Sequence, residues 1–148
     1  MTGYAGDPDA TAEVLSEDGW LNTGDIGYLV EGTLVITGRE KDLIIINGRN
    51  IWPQDLEFLA EQHPEVRPGD ASAISIPAQD GSETAVMVVQ YRETDTDKRR
   101  ELSSRIASLV REEQGIDCTI ELVSAHTLPR TSSGKLSRAG TRREYLKR

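Results

Sequence analysis

Leu43-Ile44-Ile45-Ile46-Asn47-Gly48-Arg49-Asn50-Ile51 sets two β-rich runs on either side of Asn-Gly, the dipeptide that most readily supplies the positive φ angles of a tight hairpin turn. Working downstream, Pro53 suits the first position of a helix, with Leu56, Leu59 and Ala60 as its apolar face up to Pro64. Residues 71–77 and 84–91 read as buried strands. A longer helix starts near Asp95, carries Leu102, Ile106, Leu109 and Val110 on one face, and stops at Gly115. A strand over 118–123, a polar loop and a short basic helix from Ser137 complete the series. Hairpin, helix, strand, strand, helix, strand, helix predicts an α+β fold, a small sheet with an N-terminal β-hairpin and helices packed on it.

Upstream the pattern changes. Asp9 is expected to cap a helix over residues 10–15, Glu17-Asp18-Gly19 reads as a turn, and residues 26–30 and 33–37 flank Glu31-Gly32 as another hairpin. A single hairpin among turns lacks the apolar residues for a core of its own. The expected division is therefore residues 1–40 and residues 41–148.

Composition narrows the class. The chain has 148 residues, 36% of them hydrophobic, a net charge of -8 and one cysteine, so a disulfide framework is excluded and a reducing compartment is suited. No apolar run approaches a membrane span, and the N-terminus lacks a basic region followed by an apolar one, which makes the cytoplasm the expected location. Charge is uneven: residues 130–148 carry seven Lys/Arg against Glu144 alone, leaving an acidic body. That tail lacks interleaved aromatics apart from Tyr145, and the body repels a polyanion, so nucleic acid is not an expected partner. A phosphorylated substrate or an acidic protein suits it better. Cys118 lies in an apolar strand and reads as inert. His63 and His126 have no partner at metal or triad spacing, and no metal site of the protein's own is expected.

The chemistry-bearing segment is Leu128-Pro129-Arg130-Thr131-Ser132-Ser133-Gly134-Lys135-Leu136-Ser137-Arg138. A phosphate-cradling P-loop requires glycine five places before Gly-Lys and Ser or Thr after it. Those places hold Pro129 and Leu136. What remains is a pliant polar loop presenting Lys135 as a mobile point charge for phosphate or carboxylate oxygens; taken alone, a solvated loop lysine is the simpler reading.

Trp20-Leu21-Asn22-Thr23-Gly24-Asp25, Gly38-Arg39-Glu40-Lys41-Asp42-Leu43-Ile44 and the lysine loop, in this order, resemble the C-terminal portion of the adenylate-forming superfamily of acyl-CoA synthetases, peptide-synthetase adenylation domains and luciferases. The resemblance implies that residues 1–40 are the tail of a large N-terminal domain and residues 41–148 a C-terminal lid. It implies that Asp25 receives the ATP ribose hydroxyls, that Arg39 closes over the ribose and phosphate side, that Lys41 is the hinge, and that Lys135 is catalytic in adenylate formation. Simpler readings are a turn aspartate for Asp25, a surface ion pair with Glu40 for Arg39, and an exposed loop lysine for Lys41. ATP with Mg2+ is the implied cofactor, held mainly by the N-terminal domain, without which this chain is expected to be silent.

Asn47-Gly48-Arg49-Asn50-Ile51-Trp52-Pro53-Gln54-Asp55-Leu56-Glu57 most resembles fatty acyl-AMP ligases, as do Arg67-Pro68-Gly69-Asp70 and the Arg130–Lys135 segment. That branch implies a fatty acid substrate passed to the phosphopantetheine of an acyl carrier protein. In either acid-activating branch Gly48 and Arg49 are expected along the acceptor channel; the alternative branch, acyl-CoA synthetase, uses coenzyme A there. A third reading is a stand-alone module that docks carrier proteins, for which Asp25, Arg39 and Lys135 together serve no purpose.

Overall fold

Asp7 caps the first helix of the computed structural model, which describes residues 1–78 and 81–148. Its side chain accepts a hydrogen bond from the Ala10 amide at 2.9 Å, and α1 runs Pro8–Val14. The expected cap at Asp9 is corrected by Pro8: proline at the first helical position makes the residue before it the cap. Asp9 instead falls in the first turn, where its charge suits the helix N-terminus.

The chain divides into two units, Met1–Lys41 and Asp42–Arg148. In the first, β1 (Asp25–Val30) and β2 (Thr33–Arg39) pair antiparallel around Glu31-Gly32, with the register shifting between Ile26 and Gly27. The hairpin is longer than residues 26–37 because Asp25 pairs with Arg39 across it. Gly27 sits where the strands crowd: a Cβ there would lie 2.5 Å from the Val35 carbonyl oxygen. No residue of this unit is buried, and Tyr28, Leu29, Leu34 and Ile36 are exposed. Local hydrogen bonds hold it.

The second unit contains every buried apolar residue of the described chain. β3 (Ile44–Ile46) and β4 (Arg49–Ile51) form the Asn-Gly hairpin, with Asn47 at φ 52° and Gly48 at φ 73°. Trp52 precedes α2 (Pro53–Glu61) without capping it, and Pro53 is fully buried. β5 (Ala71–Pro77), β6 (Glu83–Gln90) and β7 (Cys118–Val123) make one sheet in the order β5-β6-β7. β5 and β6 are antiparallel; β7 is parallel to β6, as the intervening crossover helix α3 (Thr96–Gln114) requires. Asp95 caps α3 through the Asp97 and Lys98 amides, and Gly115 ends it.

Strand alternation sends Ala71, Ala73, Ala85, Met87, Val89 and Cys118 into one cluster with Leu56, Leu59, Leu102, Ile106 and Val110 of the two helices. The opposite face gives Ile74, Val86, Val88 and Val123, packed with Leu128, Leu136 and Tyr145. Both faces are covered, which is why these strands read as nearly continuous apolar runs. The last helix, α4 (Arg138–Tyr145), lies against β5, where Ser72 and Thr141 share a buried hydroxyl hydrogen bond of 3.2 Å.

Candidate active site

Leu128 and Leu136 anchor the two flanks of the lysine loop in the same apolar cluster, so the polar residues between them are forced outward. The loop is a closed turn rather than a pliant one. The Thr131 amide donates to the Lys135 carbonyl at 2.8 Å, the Gly134 amide to the Thr131 carbonyl at 2.9 Å, and the Lys135 amide to Thr131 Oγ1 at 3.2 Å. Below the turn, Arg130 and Leu136 form a β-bridge, and the Ser137 amide donates to the Pro129 carbonyl at 2.9 Å. Arg130 adds a clamp, reaching the Gly134 carbonyl at 3.1 Å and the Gly69 carbonyl at 2.9 Å. The backbone of the turn is thus closed on itself, and from it projects the side chain of Lys135. It is exposed, and its ammonium forms no ion pair with the described residues.

Directly after the loop, Ser137 caps α4 by accepting from the Gly140 amide at 3.1 Å, and Arg138 turns inward. Its Nε and Nη2 donate to the two oxygens of Glu57 at 2.8 and 2.6 Å, and Nη1 reaches Asp42 Oδ2 at 3.3 Å. Glu57 is buried on α2, and its Oε1 also accepts from the Ala73 amide of β5 at 3.0 Å. The Glu57 carboxylate holds the guanidinium of Arg138 still more firmly protonated than usual. Planar two-point pairing of this kind fixes orientation as well as charge. Sequence reasoning misses it: Arg138 is one of several basic residues near the C-terminus, and Glu57 enters only as the last residue of the Asn47–Glu57 segment. A visible signal was a glutamate set directly beside Leu56, which is fully buried on the apolar face of α2.

In the first unit the hairpin brings Asp25 and Arg39 together. Arg39 Nε donates to Asp25 Oδ1 at 3.1 Å, with side chains 54% and 32% exposed. Arg39 therefore pairs with the other candidate residue and not with Glu40. An exposed pair of this kind contributes about 0–1 kcal/mol, so either partner can be surrendered to a ligand at little cost. Lys41 is exposed within a single 3-10 turn, Glu40–Asp42, where the two units meet in the chain.

Gly48 and Arg49 sit at the exposed turn of the β3–β4 hairpin, and the Arg49 guanidinium reaches the end of α3, where Nη1 would lie 3.1 Å from a Cβ on Gly115. A cation suits a helix C-terminus, so Arg49 has a structural role beside any ligand role. Among the described residues, no hydrogen bond or ion pair joins Lys135 to Gly48 or Arg49.

Other reactive groups are accounted for. Burial pushes the Cys118 thiol up to about 12, so it is not a nucleophile at neutral pH. His63 is held below its ordinary value first by burial and then by Arg105, and its Nε2 is buried without a hydrogen-bond partner. No group of three or more His, Cys, Asp or Glu among the described residues is arranged to hold a metal ion. No helix among them is long and apolar enough to cross a membrane. Chemically, the second unit offers an ammonium without an ion pair among the described residues, on a closed turn, and the first unit a carboxylate and a guanidinium in a weak surface pair.

Comparison with known proteins finds relatives that match nearly the whole chain. The chain is 51% identical over 147 residues to a Caulobacter vibrioides protein with the provisional name acyl-CoA synthetase, spanning 99% of this chain and 26% of that one. It is 37% identical over 169 residues to the Mycobacterium marinum long-chain-fatty-acid–AMP ligase FadD32, spanning 94% of this chain and 26% of that protein. A structure from work on fatty acyl-adenylate ligases of E. coli and L. pneumophila superposes with a TM-score of 0.87 at 47% identity, over 99% of this chain and 26% of that one. The chain thus spans about a quarter of the length of these relatives. Residues 48–143 match the profile described as AMP-binding enzyme C-terminal domain, and the chain belongs to that family, a domain of the adenylate-forming ligases.

Proposed function

We propose that residues 41–148 are the lid, and residues 1–40 the last stretch of the large N-terminal domain, of a cytoplasmic ATP-dependent fatty acyl-AMP ligase. The observation that carries this reading is the lysine loop: the turn that presents Lys135 is closed by its own hydrogen bonds, and the lysine ammonium forms no ion pair with the described residues. A carboxylate attacking the α-phosphorus of ATP gathers negative charge between nucleophile, bridging oxygen and departing pyrophosphate. A fixed, unpaired ammonium placed there stabilises that charge without reorganising. Asp25 receives the ribose hydroxyls, and Arg39 leaves its surface pair to bind on the ribose and phosphate side. Lys41 absorbs the rotation that carries the lid from the first half-reaction to the second. ATP supplies the activated phosphoryl group, and Mg2+ arrives with it, held mainly by its phosphates.

The acceptor is the phosphopantetheine of an acyl carrier protein, passing Gly48 and Arg49. Support comes from the relatives: FadD32, and JamA of Moorena producens, a medium-chain-fatty-acid–[acyl-carrier-protein] ligase 36% identical over 140 residues. The name of the Caulobacter relative favours coenzyme A as the second reading. In the intact enzyme, Lys135→Ala lowers fatty-acid-dependent pyrophosphate exchange by about a hundred- to a thousandfold; near-normal exchange would sink the assignment of Lys135. Offering the intact enzyme an acyl-adenylate with coenzyme A or with holo carrier protein separates the two acceptors, and rapid acyl-CoA formation counts against the carrier protein.

A further inference from the structure

We propose that Arg138 is a positioning residue for Lys135, tying the lysine loop to α2, to β5 and to the residue that follows Lys41. This rests on the reading of Lys135 given above. The lysine loop is closed on itself, but a closed turn can still pivot about its flanks. What sets its direction is the chain directly after it, and three residues beyond Lys135 stands Arg138. Its guanidinium spends Nε and Nη2 on the two oxygens of Glu57, 2.8 and 2.6 Å away.

Glu57 is no loose surface acid. It is buried, and Oε1 is also held by the Ala73 amide at 3.0 Å, so the carboxylate is fixed by the sheet as well as by its helix. The third guanidinium nitrogen reaches Asp42, the first residue of the second unit. One side chain therefore references the loop to the middle of the lid and to the start of the lid. When the chain turns at Lys41, Asp42, Glu57 and the root of the lysine loop move as one body. Lysine at position 138 keeps the charge but lacks the planar fork that holds three contacts together.

The test uses the intact ligase, with Arg138→Lys and Asp42→Asn as probes and Lys135→Ala as control. Pyrophosphate exchange reads adenylate formation, acyl transfer from supplied acyl-adenylate reads the second half-reaction, and thermal melting of the same proteins reads folding. The expected result for Arg138→Lys is a fall of roughly ten- to a hundredfold in the exchange kcat, the scale set by small misplacements of a reacting group. KM for ATP and fatty acid, and the rate of acyl transfer, stay unchanged. Asp42→Asn gives a smaller fall in the same direction.

A merely structural role for Arg138 predicts parallel loss of both half-reactions with the melting temperature, and that result overturns the inference. So does unchanged exchange in a folded Arg138→Lys protein. If Arg138→Lys does not fold at the assay temperature, Asp42→Asn decides, and unchanged exchange there overturns it too. Lost exchange in Lys135→Ala with normal exchange in the Arg138 variant removes this inference alone. Normal exchange in Lys135→Ala removes the reading on which it rests.

Discussion

The first 41 residues and the remaining 107 are built on opposite principles. The hairpin carrying Asp25 and Arg39 buries nothing, and local hydrogen bonds and one exposed ion pair shape it. The unit carrying Lys135 has a sheet covered on both faces, and its loop is clamped by Arg130 and braced by Arg138. The contrast separates two ways of holding a candidate site side chain. Asp25 and Arg39 are held by each other and can exchange partners, whereas the Lys135 backbone is held by its own turn and its ammonium pairs with no described residue.

The largest effect that tests this contrast comes from the core. Leu102 is fully buried in α3, so Leu102→Ala lowers the stability of this chain by about 2–5 kcal/mol, whereas Leu34→Ala in the exposed hairpin changes it by less than about 0.5 kcal/mol. Urea unfolding followed by tryptophan fluorescence and circular dichroism measures both; a comparable loss in the two variants would erase the distinction. A middle-sized, local effect is expected at Gly27, where an added Cβ meets a backbone oxygen at 2.5 Å. Gly27→Ala breaks the register that sets Asp25 opposite Arg39, seen as lost amide-exchange protection over β1 and β2. The urea midpoint of the second unit does not move.

The smallest effect is one of pH. Burial, then Arg105, lowers the pKa of His63 below 6.5 in the folded chain. As pH falls through that value the unfolded chain takes up the proton first, so folding stability decreases on acidification. His63→Gln flattens the stability profile between about pH 7.5 and 5.5; an unchanged slope in the variant would remove His63 as its source.

Much of the architecture was legible because turn chemistry and apolar period agree along this chain. Asn47-Gly48, Pro53, Asp95 and Gly115 mark ends that the structure keeps within a residue or two. The misses have physical causes. Pro8 moved the first cap to Asp7, and the cross-strand pair Asp25–Arg39 extended β2 beyond Thr37. The lysine loop read as pliant because Ser, Thr and Gly are as common in tight turns as in loose ones; what closes it is hydrogen bonding between its own ends and Arg130. The brace was out of reach for another reason. Glu57 and Arg138 lie 81 residues apart, and nothing local to either names the other. Lys135 itself was visible because the residues flanking it are distinctive as a string.

Two of the turns beside the candidate site residues depend on chirality rather than on space. Gly48, at φ 73°, shapes the β3–β4 turn, and Gly134, at φ 80°, precedes Lys135; at both, an added Cβ would meet no atom within 4 Å. There is room for a side chain, and what excludes an L-residue is the hand of the backbone. A D-residue has the opposite preference, so D-alanine introduced by chemical ligation is the substitution those two positions accept, whereas L-alanine strains the same turn. Part of what aims Lys135 is thus written as handedness, which a count of contacts or volumes does not register.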